Sequence, residues 1–222
     1  MTRPAPTTPE EAWAELVAGN ARFAADAAQR PNADATQRRL LSTGQRPFAA
    51  VLGCSDSRVA AELVFDCGLG DLFVVRTAGH VLDTAVLGSV EFATVVLGVP
   101  LLVVLGHDSC GAVGAALTAR HGGRVPGGFV RDIVERVTTS VLAAEHRGET
   151  QVADIVREHV RATARQLVER SEAVREAVVT GRLGVVGASY TLAEGLVDLV
   201  FSDGVGGAGD VPDLDGTGDP VR

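Results

Sequence analysis

The feature of this sequence that most constrains its fold is a set of four apolar runs, each about as long as a β-strand. The runs are continuous rather than alternating, as in strands that are buried on both faces. They cover residues 48–53, 72–76, 101–106 and 183–188. Segments with helical spacing separate them. This order predicts an α/β fold with a mostly parallel central sheet, flanked by helices and joined by right-handed crossovers.

Helices are predicted at residues 82–98, 111–121, 130–146 and about 151–180. Before them, Pro9 followed by two glutamates favours a helix start, so an N-terminal helical arm is predicted to reach about Ala28. After them, the run at residues 195–201 fits an added edge strand.

The two ends of the chain differ in composition from its middle. Residues 1–9 are rich in Pro and Thr and are predicted to form a flexible arm. Residues 203–222 are Gly-rich and acidic with few apolar side chains, so this tail is predicted to be disordered. Residues 10–202 have an ordinary globular composition and are expected to form a single domain.

The charge balance excludes some classes of partner. The formal net charge is −8, and lysine is absent, all 20 basic residues being arginine. An acidic chain without a basic stripe argues against nucleic acid and against anionic membranes. Neither a transmembrane run nor a secretory signal is recognisable, so we expect a cytoplasmic location.

Two of the apolar runs lead directly into residues that bind metals. The first is followed by Cys54, and the third by His107 and Cys110. Ligands of open α/β sheets bind at the carboxyl ends of strands, where these loops meet if their strands are neighbours. Two thiolates and an imidazole suit Zn²⁺, and catalytic zinc sites use three protein ligands and keep a fourth position open. We therefore predict one zinc ion per chain at Cys54, His107 and Cys110.

Other polar residues accompany the predicted site. Asp56 and Arg58 lie in the loop of the first ligand, where an arginine–carboxylate pair fixes geometry. Cys67 is predicted to be a small buried residue, with a role as fourth zinc ligand as the alternative. His146 and His159 are predicted to be solvent-exposed on helices.

The motifs CSDSRV at 54–59 and GHDSCGA at 106–112 resemble the two signatures of β-class carbonic anhydrases. The segments 70–81 and 89–93 match the family as well, and the similarity covers about residues 10–202. The resemblance implies a homodimer or homotetramer in which the N-terminal helix reaches onto a partner subunit.

The resemblance also implies a lyase that hydrates CO₂ reversibly to bicarbonate and a proton through a zinc-bound hydroxide. Asp56 would orient the hydroxide and Arg58 would hold Asp56, whereas in a closed state Asp56 is a possible fourth zinc ligand. Some members carry a non-catalytic bicarbonate pocket of Trp, Arg and Tyr. Arg76 and Tyr190 match two of its positions, but Val51 stands at the Trp position.

Two alternatives share these motifs. The same zinc site would serve hydrolysis of carbon disulfide or carbonyl sulfide, whose molecules are also small and linear. A non-catalytic zinc-binding module with a closed four-ligand site is the other alternative.

Overall fold

A five-stranded sheet forms the centre of the computed structural model, which describes residues 5–206. The spatial order of its strands is β2-β1-β3-β4-β5. The first four are parallel to their neighbours, and β5 runs antiparallel to β4. Their bounds are β1 Ala49–Cys54, β2 Leu72–Thr77, β3 Leu101–His107, β4 Gly184–Tyr190 and β5 Val197–Asp203. The predicted α/β class with a mostly parallel sheet is confirmed.

Helices cover both faces of the sheet. They are α1 Pro9–Ala24, α2 Ala35–Leu40, α3 Ala61–Val64, α4 Thr84–Glu91, α5 Gly111–Arg120, α6 Phe129–His146, α7 Val152–Arg170 and α8 Glu172–Val179. A π-helical turn, Phe92–Val96, continues α4, and short 3₁₀ turns span Leu41–Thr43 and Ala78–His80. No helix among residues 5–206 combines the length and the apolar character needed to cross a bilayer.

Two of the predicted helices differ in extent. The segment predicted as one helix over 151–180 is two, because Ser171 is extended and its Oγ caps α8 by accepting the N–H of Val174. The arm helix ends at Ala24 rather than near Ala28, since Asp26 has a left-handed φ of 54°.

The sheet separates two apolar clusters. Alternate residues of the central strands point to opposite faces, so Leu52 and Val104 pack with α4–α8, while Val51 and Val103 pack with α1 and α3. Both faces of the central strands are thereby buried, which accounts for their continuous apolar sequence.

The ends of the described region are attached to the domain. Thr8 caps α1 by accepting the N–H of Glu11. Val205 is buried, and the N–H of Gly206 donates to Glu10. The remainder of the tail predicted to be disordered, residues 207–222, lies outside the described residues, as do residues 1–4 of the predicted arm.

Candidate metal centre

The sheet topology brings the two metal-binding loops together. β1 and β3 are parallel neighbours, with Gly53 opposite Leu105, so their carboxyl ends lie side by side. Cys54 is the last residue of β1 and His107 the last of β3. Cys110 follows one turn later and immediately precedes α5. The three residues therefore converge at one edge of the sheet.

The donor atoms of Cys54, His107 and Cys110 all lie within 4.8 Å of one another, and all three residues are buried. No other group of three or more metal-binding side chains is found within residues 5–206. In the same range, the buried Nε2 atom of His107 has no hydrogen-bond partner. A buried polar atom without a partner costs free energy, because it has lost its hydrogen bonds to water, unless a bound group replaces them. Because two sulfurs and one nitrogen match a catalytic zinc site, these residues fit one Zn²⁺.

The orientation of the His107 ring is fixed from behind. Its Nδ1 lies 2.7 Å from the backbone carbonyl oxygen of Asp108. A carbonyl only accepts, so Nδ1 carries the proton and Nε2 offers its lone pair to the cluster. Asp108 is fixed in turn, since its Oδ1 accepts the N–H of Leu192 at 3.0 Å.

The two thiols of the cluster lie close enough to share one proton. The hydrogen bond between them lowers the pKa of Cys54 and raises the pKa of Cys110, because one proton is held between two sulfurs. Burial lowers the pKa of His107, but the nearby Cys54 thiolate and Asp56 carboxylate favour the protonated ring, outweigh burial and leave the pKa raised. The environment thus favours a thiolate at Cys54, the form in which cysteine binds metals.

Asp56 and Arg58 form a bidentate pair beside the cluster. Arg58 Nε lies 2.9 Å from Asp56 Oδ1, and Nη2 lies 2.7 Å from Oδ2. The hydrogen bond from Arg58 outweighs burial and holds the pKa of Asp56 well below its usual range. Asp56 Oδ2 is 3.9 Å from Nε2 of His107. The carboxylate is therefore ionised and close to the cluster, with both oxygens held by Arg58.

Arg76 has a role that sequence reasoning missed. Its Nε donates to the carbonyl oxygen of Cys54 at 2.9 Å, and its Nη2 donates to that of Asp56 at 2.6 Å. Arg76 therefore ties the loop after β1 to strand β2. The sequence feature that could have indicated this role is the position of Arg76 at the end of the second apolar run, whose strand neighbours the strand that leads into Cys54.

His159 is buried, which corrects the prediction that it is solvent-exposed. It is 5% exposed, with Nε2 2.9 Å from the carbonyl oxygen of Gly79 and Nδ1 2.8 Å from Ser140 Oγ. The signal in the sequence was its spacing, because Ile155 and Val156, four and three residues earlier, and Thr163, four residues later, lie on the same buried face of the helix.

Cys67 lies apart from the cluster. Its Sγ is 3.4 Å from the carbonyl oxygen of Phe65, and it packs on the α1–α3 side of the sheet, opposite Cys54. Burial raises the pKa of its thiol. This position gives Cys67 no place among the metal ligands.

A protein-family model described as carbonic anhydrase matches residues 49–197, which is more than half of the chain and includes every residue of the cluster. The chain belongs to the carbonic anhydrase family. Carbonic anhydrase 2 of Mycobacterium tuberculosis (strain CDC 1551 / Oshkosh) is 52% identical over 204 residues, which cover 92% of this chain and 98% of that protein. Carbonic anhydrase of Mycolicibacterium smegmatis is 54% identical over 193 residues, covering 87% and 94%.

Solved structures place this carbonic anhydrase in the β class. A β-carbonic anhydrase from Coccomyxa, in complex with acetazolamide, has a TM-score of 0.68 and 25% identity and covers 86% of this chain and 87% of its own. A β-carbonic anhydrase from Sordaria macrospora shares the fold with a TM-score of 0.67 at 24% identity, covering 86% and 97%.

The expected activity follows from this membership. The protein catalyses the reversible hydration of CO₂ to bicarbonate and a proton. Its cofactor is zinc, for which the Cys–His–Cys cluster is positioned.

Proposed function

We propose that Cys54, His107 and Cys110 are the three zinc ligands of this carbonic anhydrase, with one zinc ion per chain. The observation that carries the assignment is the unpartnered Nε2 of His107, buried within 4.8 Å of two cysteine sulfurs. The hydrogen bond of Nδ1 to the Asp108 carbonyl supports it, because it directs the Nε2 lone pair at the cluster.

We propose that Asp56 is the catalytic carboxylate and that Arg58 positions it. A zinc ion at such a site lowers the pKa of a water molecule toward neutrality and so makes a nucleophile available. Asp56 remains ionised at neutral pH, because Arg58 lowers its pKa. An ionised carboxylate only accepts hydrogen bonds, so it fixes the direction of an O–H group beside the cluster and turns the oxygen lone pair toward CO₂.

Arg58 holds both oxygens of Asp56 and also reaches the second loop, where its Nη2 lies 3.4 Å from the carbonyl oxygen of Ser109. The arrangement keeps Asp56 out of the metal ligand set and so supports an open site. A closed state, with Asp56 as fourth ligand, would require the two hydrogen bonds from the Arg58 side chain to break.

The experiment that tests this function is stopped-flow CO₂ hydration between about pH 6.5 and 9, with zinc measured on the same sample. Fast hydration at about one zinc per chain supports the proposed site. Undegraded, active protein without zinc would contradict it.

The two alternatives give different results in the same assay. Zinc-loaded protein that consumes carbonyl sulfide or carbon disulfide but not CO₂ would be a hydrolase of sulfur substrates. Zinc-loaded protein with neither activity at any pH would be a closed binding module.

We further propose that the protein is a homo-oligomer. The apolar side chains of Phe92, Val95 and Val96 are 44%, 63% and 63% exposed on one π-helical turn. Clustered exposed apolar residues are typical of association surfaces. The Sordaria macrospora relatives are described as tetrameric. Light scattering would give the mass of a dimer or tetramer, and a monomer at micromolar concentration would contradict the proposal.

We propose a cytoplasmic location as well. The cysteines of the described region are free thiols. Thiolate ligands are best preserved in a reducing compartment, because disulfide formation would remove them. Cell fractionation would test this location.

A further inference from the structure

A buried chain of hydrogen bonds leads from α6 and α7 to the metal cluster. Ser140 Oγ, on α6, lies 2.8 Å from Nδ1 of His159 on α7. His159 Nε2 lies 2.9 Å from the carbonyl oxygen of Gly79. The N–H of Gly79 lies 3.3 Å from Sγ of Cys54. All four residues are buried, so water does not compete for these bonds.

The chemistry of its partners sets the tautomer of His159. The Gly79 carbonyl only accepts, so Nε2 of His159 carries a proton and donates it. The Nδ1 atom of a neutral ring is then an acceptor, and the Ser140 hydroxyl donates to it. The Gly79 carbonyl therefore selects this ring form, and the Ser140 hydroxyl satisfies its Nδ1 atom.

Gly79 needs such a restraint. Its φ of 65° and ψ of 23° are left-handed, and a Cβ at this position would lie 2.8 Å from Cβ of Ala112. Only glycine fits there, and glycine is also the residue with the most backbone freedom. The hydrogen bond from His159 holds the peptide that follows Gly79, and so limits how far the preceding peptide, whose N–H meets Cys54, can rotate about Gly79.

The His159 ring also packs against the same turn. It lies 4.5 Å, between ring centroids, from His80, which is fully buried and has a positive φ of 43°. Neither ring nitrogen of His80 has a hydrogen-bond partner within residues 5–206. The His80 ring therefore contributes packing against His159 rather than hydrogen bonds. This packing restrains the Ala78–His80 turn from a second direction.

We propose that His159, supported by Ser140, is a positioning residue for the metal site that acts through Gly79 on Cys54. His159 holds the Ala78–His80 turn so that the Gly79 N–H donates to the Cys54 sulfur. A hydrogen bond to a thiolate withdraws electron density from it, so its loss makes Cys54 a stronger donor to the metal. This inference rests on the proposed role of Cys54 as a ligand.

The test uses the full chain with Co²⁺ in place of zinc, because the sulfur-to-cobalt charge-transfer band reports the electron density on the ligand sulfurs. In His159→Leu, which lacks the donor, we expect this band to move to lower energy. Ser140→Ala should shift the band in the same direction by less.

His159→Gln is the rescue variant, because its side-chain amide places an N–H donor near the position of Nε2. Its band should lie near that of the unmodified protein. Ile155→Val is the matched control, since it shortens a fully buried side chain on the same helix that has no hydrogen-bonding atom. A merely structural effect of losing packing on α7 would appear in this control as well.

A second rescue is available because His159 borders a cavity of about 200 Å³, lined also by Val81, Leu82 and Arg136 among others. In His159→Ala, added imidazole has a route to the vacated place, and the band should return toward that of the unmodified protein. The same imidazole added to unmodified protein shows whether it binds the cobalt directly.

The outcomes separate the two proposals. If unmodified protein with cobalt shows no sulfur-to-cobalt band, the assignment of Cys54 and Cys110 as ligands is wrong. If the band is present and shifts in His159→Leu, but not in His159→Gln or Ile155→Val, the inference is supported. A band that stays at the same energy in His159→Leu and in Ser140→Ala would overturn it while leaving the ligands in place.

Discussion

The three cysteines of the chain differ in their surroundings, and the difference predicts which of them are essential. Cys110 lies in the metal cluster, whereas Cys67 lies on the other side of the sheet. We expect Cys110→Ser to lower zinc affinity by more than the roughly 10–100-fold that loss of a supporting residue costs, and to abolish hydration. Cys67→Ser should keep zinc and activity. Metal analysis and stopped-flow assays check both, and full zinc occupancy in Cys110→Ser would rule out the ligand assignment.

Asp56 is expected to serve catalysis without being needed for metal binding. Its carboxylate is held by Arg58 and lies outside the Cys–His–Cys cluster. Asp56→Asn should therefore retain zinc while kcat/KM for CO₂ hydration falls by roughly 10²–10⁴-fold, the range that positioned proton-accepting groups contribute. Glu176→Gln, which alters an exposed acid on α8, is the control. Unchanged turnover in Asp56→Asn would show that the carboxylate does not act on the reacting water.

At the scale of secondary structure, the sequence predicted the strands and helices that a local pattern of residues determines. The continuous apolar runs located β1 and β3, and the residues that follow them located the cluster, because strand ends carry ligands in parallel sheets. The division between α7 and α8 was not predictable in this way. It depends on Ser171, whose hydroxyl donates to Glu91 in a distant helix while it caps α8. The role of His159 was missed for the same reason, since both of its partners lie far away in sequence.

The linker between α1 and α2 is anchored to Asp66, a contact that no sequence pattern indicates. Asp66 is buried and accepts hydrogen bonds from Arg22 Nε at 2.6 Å and from the N–H groups of Gln29 and Arg30 at 3.0 and 2.8 Å. Asp66→Asn places an amide donor against these donors and leaves Arg22 without its buried counter-ion.

We expect Asp66→Asn to lower the free energy of unfolding by roughly 1–3 kcal/mol, as when buried donors lose a hydrogen-bond acceptor. Urea denaturation measures this change. Asp26→Asn is the control in the same linker, because Asp26 is exposed with a φ of 54°, a conformation that asparagine tolerates. A change below about 0.5 kcal/mol in Asp66→Asn, the level of ordinary surface substitutions, would show that the linker is held elsewhere.

For the whole molecule, two buried histidines link global stability to pH. Burial lowers the pKa of His159 from 6.5 to about 4, although the Gly79 hydrogen bond and the charge of Cys54 oppose the shift. Burial, with His159 and His107 nearby, lowers the pKa of His80 in the same direction. Both rings are therefore neutral in the folded protein at pH values where the unfolded chain already binds protons.

The sign of the effect follows from the lowered pKa. Above about pH 6.5 the ring of His159 is neutral in both states, and its contribution to stability is fully present. As the pH falls toward 4 the unfolded chain takes up the proton first, so stability decreases, and below the folded pKa the loss is complete. A shift of this size corresponds to roughly 3 kcal/mol between these pH values.

Urea unfolding of the unmodified protein and of His159→Gln, both with a chelator so that protons do not compete with metal, measures the linkage. Glutamine does not titrate, so the free energy of unfolding of this variant should decline less steeply between about pH 6.5 and 4, by up to roughly 3 kcal/mol. The pH dependence of the free energy of unfolding that remains in the variant comes from His80 and the other titrating groups. Parallel pH profiles for the two proteins would mean that His159 takes up its proton at the same pH in the folded and unfolded states, and the lowered pKa inferred for the buried ring would then be wrong.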